Sequence, residues 1–158
     1  AVADNRGYGF SAAAAARMYP RSPEARYCTL ASRMVGGQVT AAESAIAAGG
    51  RPAGAGDSCL EVGRMIADVA STMTACAGSI TSSQRTRWSA YAEQAVWYVW
   101  NYNNAQWGGS SHPWSGWLIN NLGNNYYYSF VEATMYWALA RGKTAEFNFL
   151  RDNKLEAM

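Results

Sequence analysis

From Gln94 to Val131 the chain has no Asp, Glu, Lys or Arg, although charged residues make up 15% of the whole. Ionic or metal-centred chemistry has little to work with inside that stretch. His112 is the only histidine, and no CxxC pair is present. A metal site is therefore not expected, and no cofactor is implied. A Ser–His–acid arrangement cannot be drawn with one histidine, and no phosphate-cradling glycine motif of the P-loop or dinucleotide type occurs. Net charge is only +2 and the basic residues are scattered, so nucleic acid is not an expected partner. The uncharged stretch is broken by NYNNAQWGGSSHPWSG, which leaves its apolar runs well short of the roughly 20 residues a membrane span needs. Ser11–Ala16 (SAAAAA) lacks the basic start and long apolar centre of a signal peptide, so an exported protein would have lost its signal from this sequence.

Residues 88–137 carry what is there: all seven tryptophans, several tyrosines, Asn, Gly and Ser. Planar rings beside neutral amides and hydroxyls suit stacking against, and hydrogen bonding to, a sugar chain.

β-Branched runs are missing while Ala, Met, Arg and Glu abound, so the fold class expected is all-α, built of antiparallel helical hairpins. One domain is expected over 1–158, with Ala/Gly-rich helices in 1–57 and longer helices around an aromatic cleft in 58–158. The helices drawn cover about 11–18, 23–35, 41–48, 59–77, 82–102, 125–141 and 144–156, with a Gly-rich loop through 113 and a short turn or helix near 114–120. Ser22-Pro23-Glu24 places an N-cap followed by proline. Thr40–Glu43, Ser58–Glu61 and Thr81–Gln84 each fit the capping-box spacing. Gly36-Gly37 and the segment GRPAGAG are expected breaks. Cys59 and Cys76 on one helix would lie roughly 25 Å apart and cannot bridge. Cys28 is free to pair with either in an oxidising compartment, but three buried thiols are the favoured reading.

The densest polar-aromatic run is Asn120-Asn121-Leu122-Gly123-Asn124-Asn125-Tyr126-Tyr127-Tyr128-Ser129-Phe130. Asn125, Tyr128 and Glu132 fall at i, i+3 and i+7 and share a helix face. Asn121 and Asn124 flank its start. Against this stands the plain reading that the asparagines cap the helix and the tyrosines pack. Trp107, Trp114 and Trp117 lie in loop-rich sequence and make a candidate stacking platform. Trp88, Trp97 and Trp137 are assigned to packing. His112, with an ordinary pKa near neutrality, is a second-choice base.

The order of these pieces carries a resemblance. A helix is followed by TSSQRTRW (Thr81–Trp88), a long aromatic helix, a Gly/Trp loop, and Asn124-Asn125-x-x-Tyr128 opening a helix with Ala133-Thr134. Over about residues 60–142 this resembles the N-terminal part of the α/α-toroid polysaccharide lyases, the alginate lyase and heparinase II/III-like group. In that group an Asn-Asn-His motif opens an inner helix. Its asparagine neutralises the uronate carboxylate, and its histidine acts in proton transfer with a later tyrosine. By position Asn125 matches the asparagine, while Tyr126 stands where the histidine would be. The resemblance implies an incomplete toroid, either a piece of a longer chain or a shortened relative. It also implies a periplasmic or secreted location, and binding of a uronate-containing acidic polysaccharide with cleavage by β-elimination. Asn125, Tyr126, Tyr128 and His112 would be catalytic, and Trp107, Trp114, Trp117, Asn121, Asn124 and Glu132 would bind substrate. The alternatives are a non-catalytic carbohydrate-binding or cell-surface module, and a helical scaffold for a protein partner.

Overall fold

Local helix propensity and capping explain where most of the elements begin. The computed structural model describes residues 11–155. Within them lie α1 (Ala12–Met18), α2 (Ala25–Ala47), α3 (Val62–Ala75), α4 (Ser82–Trp100), α5 (Asn125–Arg141) and α6 (Thr144–Leu150). The only sheet among these residues is a two-residue hairpin, β1 (Gln106–Trp107) with β2 (Ser110–Ser111). The protein is all-α, as its composition predicts. Residue 156 of the expected last helix lies outside the described residues. No described helix is long and apolar enough to cross a membrane.

The Thr81–Gln84 capping box forms as expected. Thr81 Oγ1 accepts from the Gln84 N–H at 3.2 Å, and Gln84 Oε1 accepts from the Thr81 N–H at 2.8 Å. The other expected starts are corrected. Helix α2 begins at Ala25, capped by the Glu24 position, and the Ser22 hydroxyl donates to the Glu24 carboxylate instead. It also runs unbroken through Gly36-Gly37 and through Thr40–Glu43. Two internal glycines cost about 0.5–1 kcal/mol each. Full burial of Val35 and Val39 on the core face gains about 1.5–3 kcal/mol each, and so outweighs them. Thr40 and Glu43, rather than capping, both accept from Arg87 of α4.

Ser58 is not a cap either. It has φ +50° within a short turn, and α3 starts at Val62. The N-terminal N–H groups of α3 are completed from elsewhere: Ser129 Oγ of α5 accepts from Gly63 N at 2.8 Å. Helix α1 shows the same device. Its own Ser11 accepts from Ala14 N at 3.1 Å, while Asp68 of α3 accepts from Ala13 N at 2.7 Å. So α5 caps α3, and α3 caps α1.

Helix α3 is central, packing along α5, α1, α2 and α4. Val35 and Val39 of α2, Ile66 and Val69 of α3, Trp88 of α4 and Trp137 of α5 share one buried core. A disulfide joins Cys28 in the first turn of α2 to Cys76 at the end of α3, with Cα atoms 5.4 Å apart. This corrects the favoured reading of three thiols. Cys59 alone stays reduced and buried, and its thiol is pushed up to about 12, chiefly by that burial.

The Gly-rich loop is more ordered than expected. Gly108 and Gly109 take φ +54° and +82°, the left-handed conformations that a tight hairpin turn requires. A side chain at Gly108 would strike Ile46 Cγ2 at 2.5 Å, so the hairpin tip lies directly on the end of α2. Of the short turn or helix expected near 114–120, a turn forms over 117–120, after an irregular stretch over 114–116.

Candidate functional site

The start of α5 is built by side chains that serve their own backbone. Asn124 is the N-cap, and its Oδ1 accepts from Tyr126 N at 3.0 Å. Asn121 Oδ1 accepts from Gly123 N at 3.0 Å, closing the preceding turn. These amide oxygens set the entry angle of α5. Asn125 follows as the first helical residue. It shares an exposed face with Tyr128 and Glu132, as the spacing predicts. Tyr127, Phe130, Val131 and Thr134 are buried on the other sides. Tyr127 donates to the Lys154 carbonyl at 2.7 Å. Ser129, which borders the exposed face, is buried and committed to α3, also donating to the Leu60 carbonyl at 2.5 Å.

Trp117 and Tyr126 meet beside this helix start. Their rings are edge to face, with centroids 5.0 Å apart, and Trp117 is 51% exposed. The loop that presents Trp117 is pinned from beneath. Trp114 Nε1 donates to the Tyr98 carbonyl at 3.3 Å, and its ring packs against Tyr102 and Phe130. Gly116, at φ +62°, lies so close to the Tyr102 ring that a Cβ would come within 2.7 Å of it. Trp114 is therefore an anchor of the platform more than its surface.

The Tyr126 hydroxyl donates to Asp57 Oδ1 at 3.2 Å. Desolvation, then the charge and hydrogen bond of Asp57, hold the phenol above its ordinary pKa. A proton-abstracting tyrosinate is thus disfavoured, while a proton-donating phenol is favoured. Asp57 was not among the residues expected at a site. The signal was faint: an acid closing a glycine-rich segment reads as a turn. That turn is unusual in conformation. Asp57, Ser58 and Cys59 have φ of +39°, +50° and +66°. Left-handed backbone costs a non-glycine residue roughly 1–2 kcal/mol. Consecutive residues of this kind persist where the surroundings over-determine them, and such places concentrate at ligand sites.

Two expected members sit elsewhere. Trp107 is buried, only 2% exposed, with its ring 5.3 Å from that of Tyr98 and 6.4 Å from that of Tyr91. It is core, not stacking platform, because the hairpin turn folds it inward over α4. His112 is tied to the same place: its N–H donates to the Ala105 carbonyl at 2.8 Å, and its carbonyl accepts from the Tyr98 hydroxyl at 2.9 Å. Its Nε2 is buried without a hydrogen-bond partner. That nitrogen therefore does not face the start of α5 as an open base.

The cluster brought together is Trp117, Tyr126 and Asp57, beside the exposed Asn125–Tyr128–Glu132 face. It supplies an exposed ring, an amide, hydroxyls and carboxylates. Among the described residues, no group of three or more His, Cys, Asp or Glu side chains is placed to hold a metal ion. No family model matches the chain, and no curated protein or solved structure matches it either.

Proposed function

We propose that this chain binds a uronate-containing acidic polysaccharide across the start of α5. The observation that carries the reading is the half-exposed Trp117 ring, braced edge-on by Tyr126 next to Asn125. Trp117 offers a sugar its flat face. The Asn125 amide is suited to hydrogen-bond a carboxylate without adding charge, and the N-terminus of a 17-residue helix favours an anion there. Glu132 and Asp57 accept from sugar hydroxyls at the edges. The Cys28–Cys76 disulfide supports a periplasmic or secreted setting, where such bonds persist. Packed helical hairpins are also what the first part of an α/α toroid would need.

Binding without turnover is the form of this proposal that the chemistry favours. β-Elimination removes the C5 proton, forms the C4–C5 double bond, breaks the C4–O4 bond and protonates the departing oxygen. The Asn125 amide would steady the developing enolate, and the Tyr126 phenol would protonate the leaving oxygen. The proton-abstracting step has the least support, because the Tyr126 hydroxyl is taken up by Asp57 and the Nε2 of His112 is buried.

Calorimetric titration with oligomers of alginate, hyaluronan and heparin-type chains tests the binding. At least one should bind, and Trp117→Ala should abolish it. No binding by any of them removes the proposal. Parallel recording of the ultraviolet absorbance of the unsaturated product decides the lyase reading: a sustained rise that Asn125→Ala and Tyr126→Phe reduce would establish it.

A further inference from the structure

A second aromatic groove lies away from the start of α5, between α4, α5 and α6. Its cavity of about 400 Å³ is lined by Trp97, Trp100, Trp137 and Phe149, with Glu93, Lys143 and Glu146 among the remaining groups. That volume falls in the ordinary range of small-ligand sites. Trp97 is 36% exposed and Phe149 38% exposed. The sequence assigns Trp97 and Trp137 to packing, and only Trp137 keeps to that. Trp97 also lines an adjoining cleft with Gln94 and Gln106, so it stands as a ridge between two hollows.

The groove is held rigid from behind. Trp100 Nε1 donates to Thr134 Oγ1 at 2.8 Å, and the Phe149 ring meets the Trp100 ring edge-on at 5.4 Å. Hydrogen-bonding groups surround the rings. Asn101 Nδ2 donates to the Trp97 carbonyl at 2.9 Å, leaving its Oδ1 as an acceptor. Lys143 bridges Glu93 and Glu146, 3.4 Å from the latter. Trp137, 1% exposed, has an Nε1 with no partner in the protein.

We propose that this groove is a second carbohydrate site, taking a neutral pyranose segment with one ring seated on Trp97. Three observations select that ligand. Exposed indole and phenyl faces match the C–H faces of a pyranose. Glu93, Asn101, Lys143 and Glu146 supply acceptors and donors among the lining residues. The one ammonium among the lining residues, Lys143, is already bound by Glu93 and Glu146, so the lining offers a uronate carboxylate no free cation. The site is independent of the one proposed at the start of α5.

The test is calorimetry on the whole chain with cellohexaose, mannohexaose and a hexuronate. One of the neutral hexamers should bind. Trp97→Ala should weaken it roughly tenfold or more, Trp97→Tyr should restore part of that loss, and Trp117→Ala should leave it unchanged. Circular dichroism shows whether each variant folds. Phe149→Ala gives a second reading on the same groove should Trp97→Ala fail to fold. The proposal is overturned if neither neutral hexamer binds, or if their binding is lost on Trp117→Ala and kept on Trp97→Ala. Self-association that Trp97→Ala abolishes, with no sugar bound, overturns it in favour of a protein contact. Hexuronate binding, read on the same variants, reports separately on the site at α5.

Discussion

Ser129 of α5 caps α3 by accepting the Gly63 N–H at 2.8 Å, a bond between residues far apart in sequence. The packing there is close. A Cβ on Gly63 would lie 2.7 Å from the Ser129 carbonyl oxygen and 2.7 Å from Glu132 Oε2. Glu132 can swing aside, but the backbone oxygen cannot. The same relationship places the exposed face of α5, because α3 fixes how α5 is rotated.

Ser129→Ala should therefore destabilise the fold by about 1–3 kcal/mol, the cost of leaving a buried N–H without its acceptor. Gly63→Ala should cost about 1–3 kcal/mol through overpacking, despite alanine's better helix propensity. Urea denaturation measures both. An unchanged midpoint for either variant would show that the α3–α5 contact relaxes freely.

Reduction of Cys28–Cys76, which spans 48 residues, should lower stability by about 2–4 kcal/mol, because the open chain regains loop entropy on unfolding. Denaturation with and without dithiothreitol gives the comparison. Cys59→Ala should leave that difference intact, and alkylation of Cys59 should be slow until the protein unfolds. Equal midpoints in both conditions would mean that the bond does not constrain the chain.

Asp68 predicts a pH dependence. It is 3% exposed, and burial raises its carboxyl pKa more than Ala13 N and Arg64 lower it. A raised folded-state value means the folded protein holds a proton that the unfolded chain has released. The associated stability is fully present below the ordinary carboxylate range and is lost as pH climbs through the raised value. Asp68→Asn keeps an acceptor for Ala13 N while removing the charge. Thermal unfolding across mildly acidic to neutral pH should show a shallower loss of stability for the variant than for the wild type. Parallel curves would place the pH dependence elsewhere.

Trp107 and Trp117 should separate stability from binding. Trp107→Ala removes a buried ring and should cost about 3–5 kcal/mol. Trp117→Ala loses mainly its contact with Tyr126, worth under about 1.5 kcal/mol, yet should abolish polysaccharide binding. Denaturation and calorimetry on the same two proteins provide the check. The reverse pattern would move the site from Trp117 to the hairpin.

Amino-acid order alone determined what is set within a turn or two of chain. Thr81 and Gln84 cap α4 because the partners lie three residues apart, and Asn124 caps α5 through the Tyr126 N–H two residues on. The face of Asn125, Tyr128 and Glu132 follows from helical repeat, and Cys59 and Cys76 stay unbridged because α3 lies between them, although Cys59 sits in the turn before that helix and not on it. Tertiary structure decided what depends on residues far away. Gly36-Gly37 stays helical because Val35 and Val39 are buried against other helices. Ser58 loses its expected cap to Ser129, which packing brings to the start of α3. Trp107 and Trp117, alike in sequence surroundings, part company because one sits on a hairpin folded over α4 and the other on a loop held out by Trp114 and Gly116. Asp57 joins the site only because Tyr126 reaches across to it. Local rules act through neighbouring backbone groups and so are written in spacing. Burial and long-range hydrogen bonds depend on which surfaces meet, and that is settled only when the helices pack.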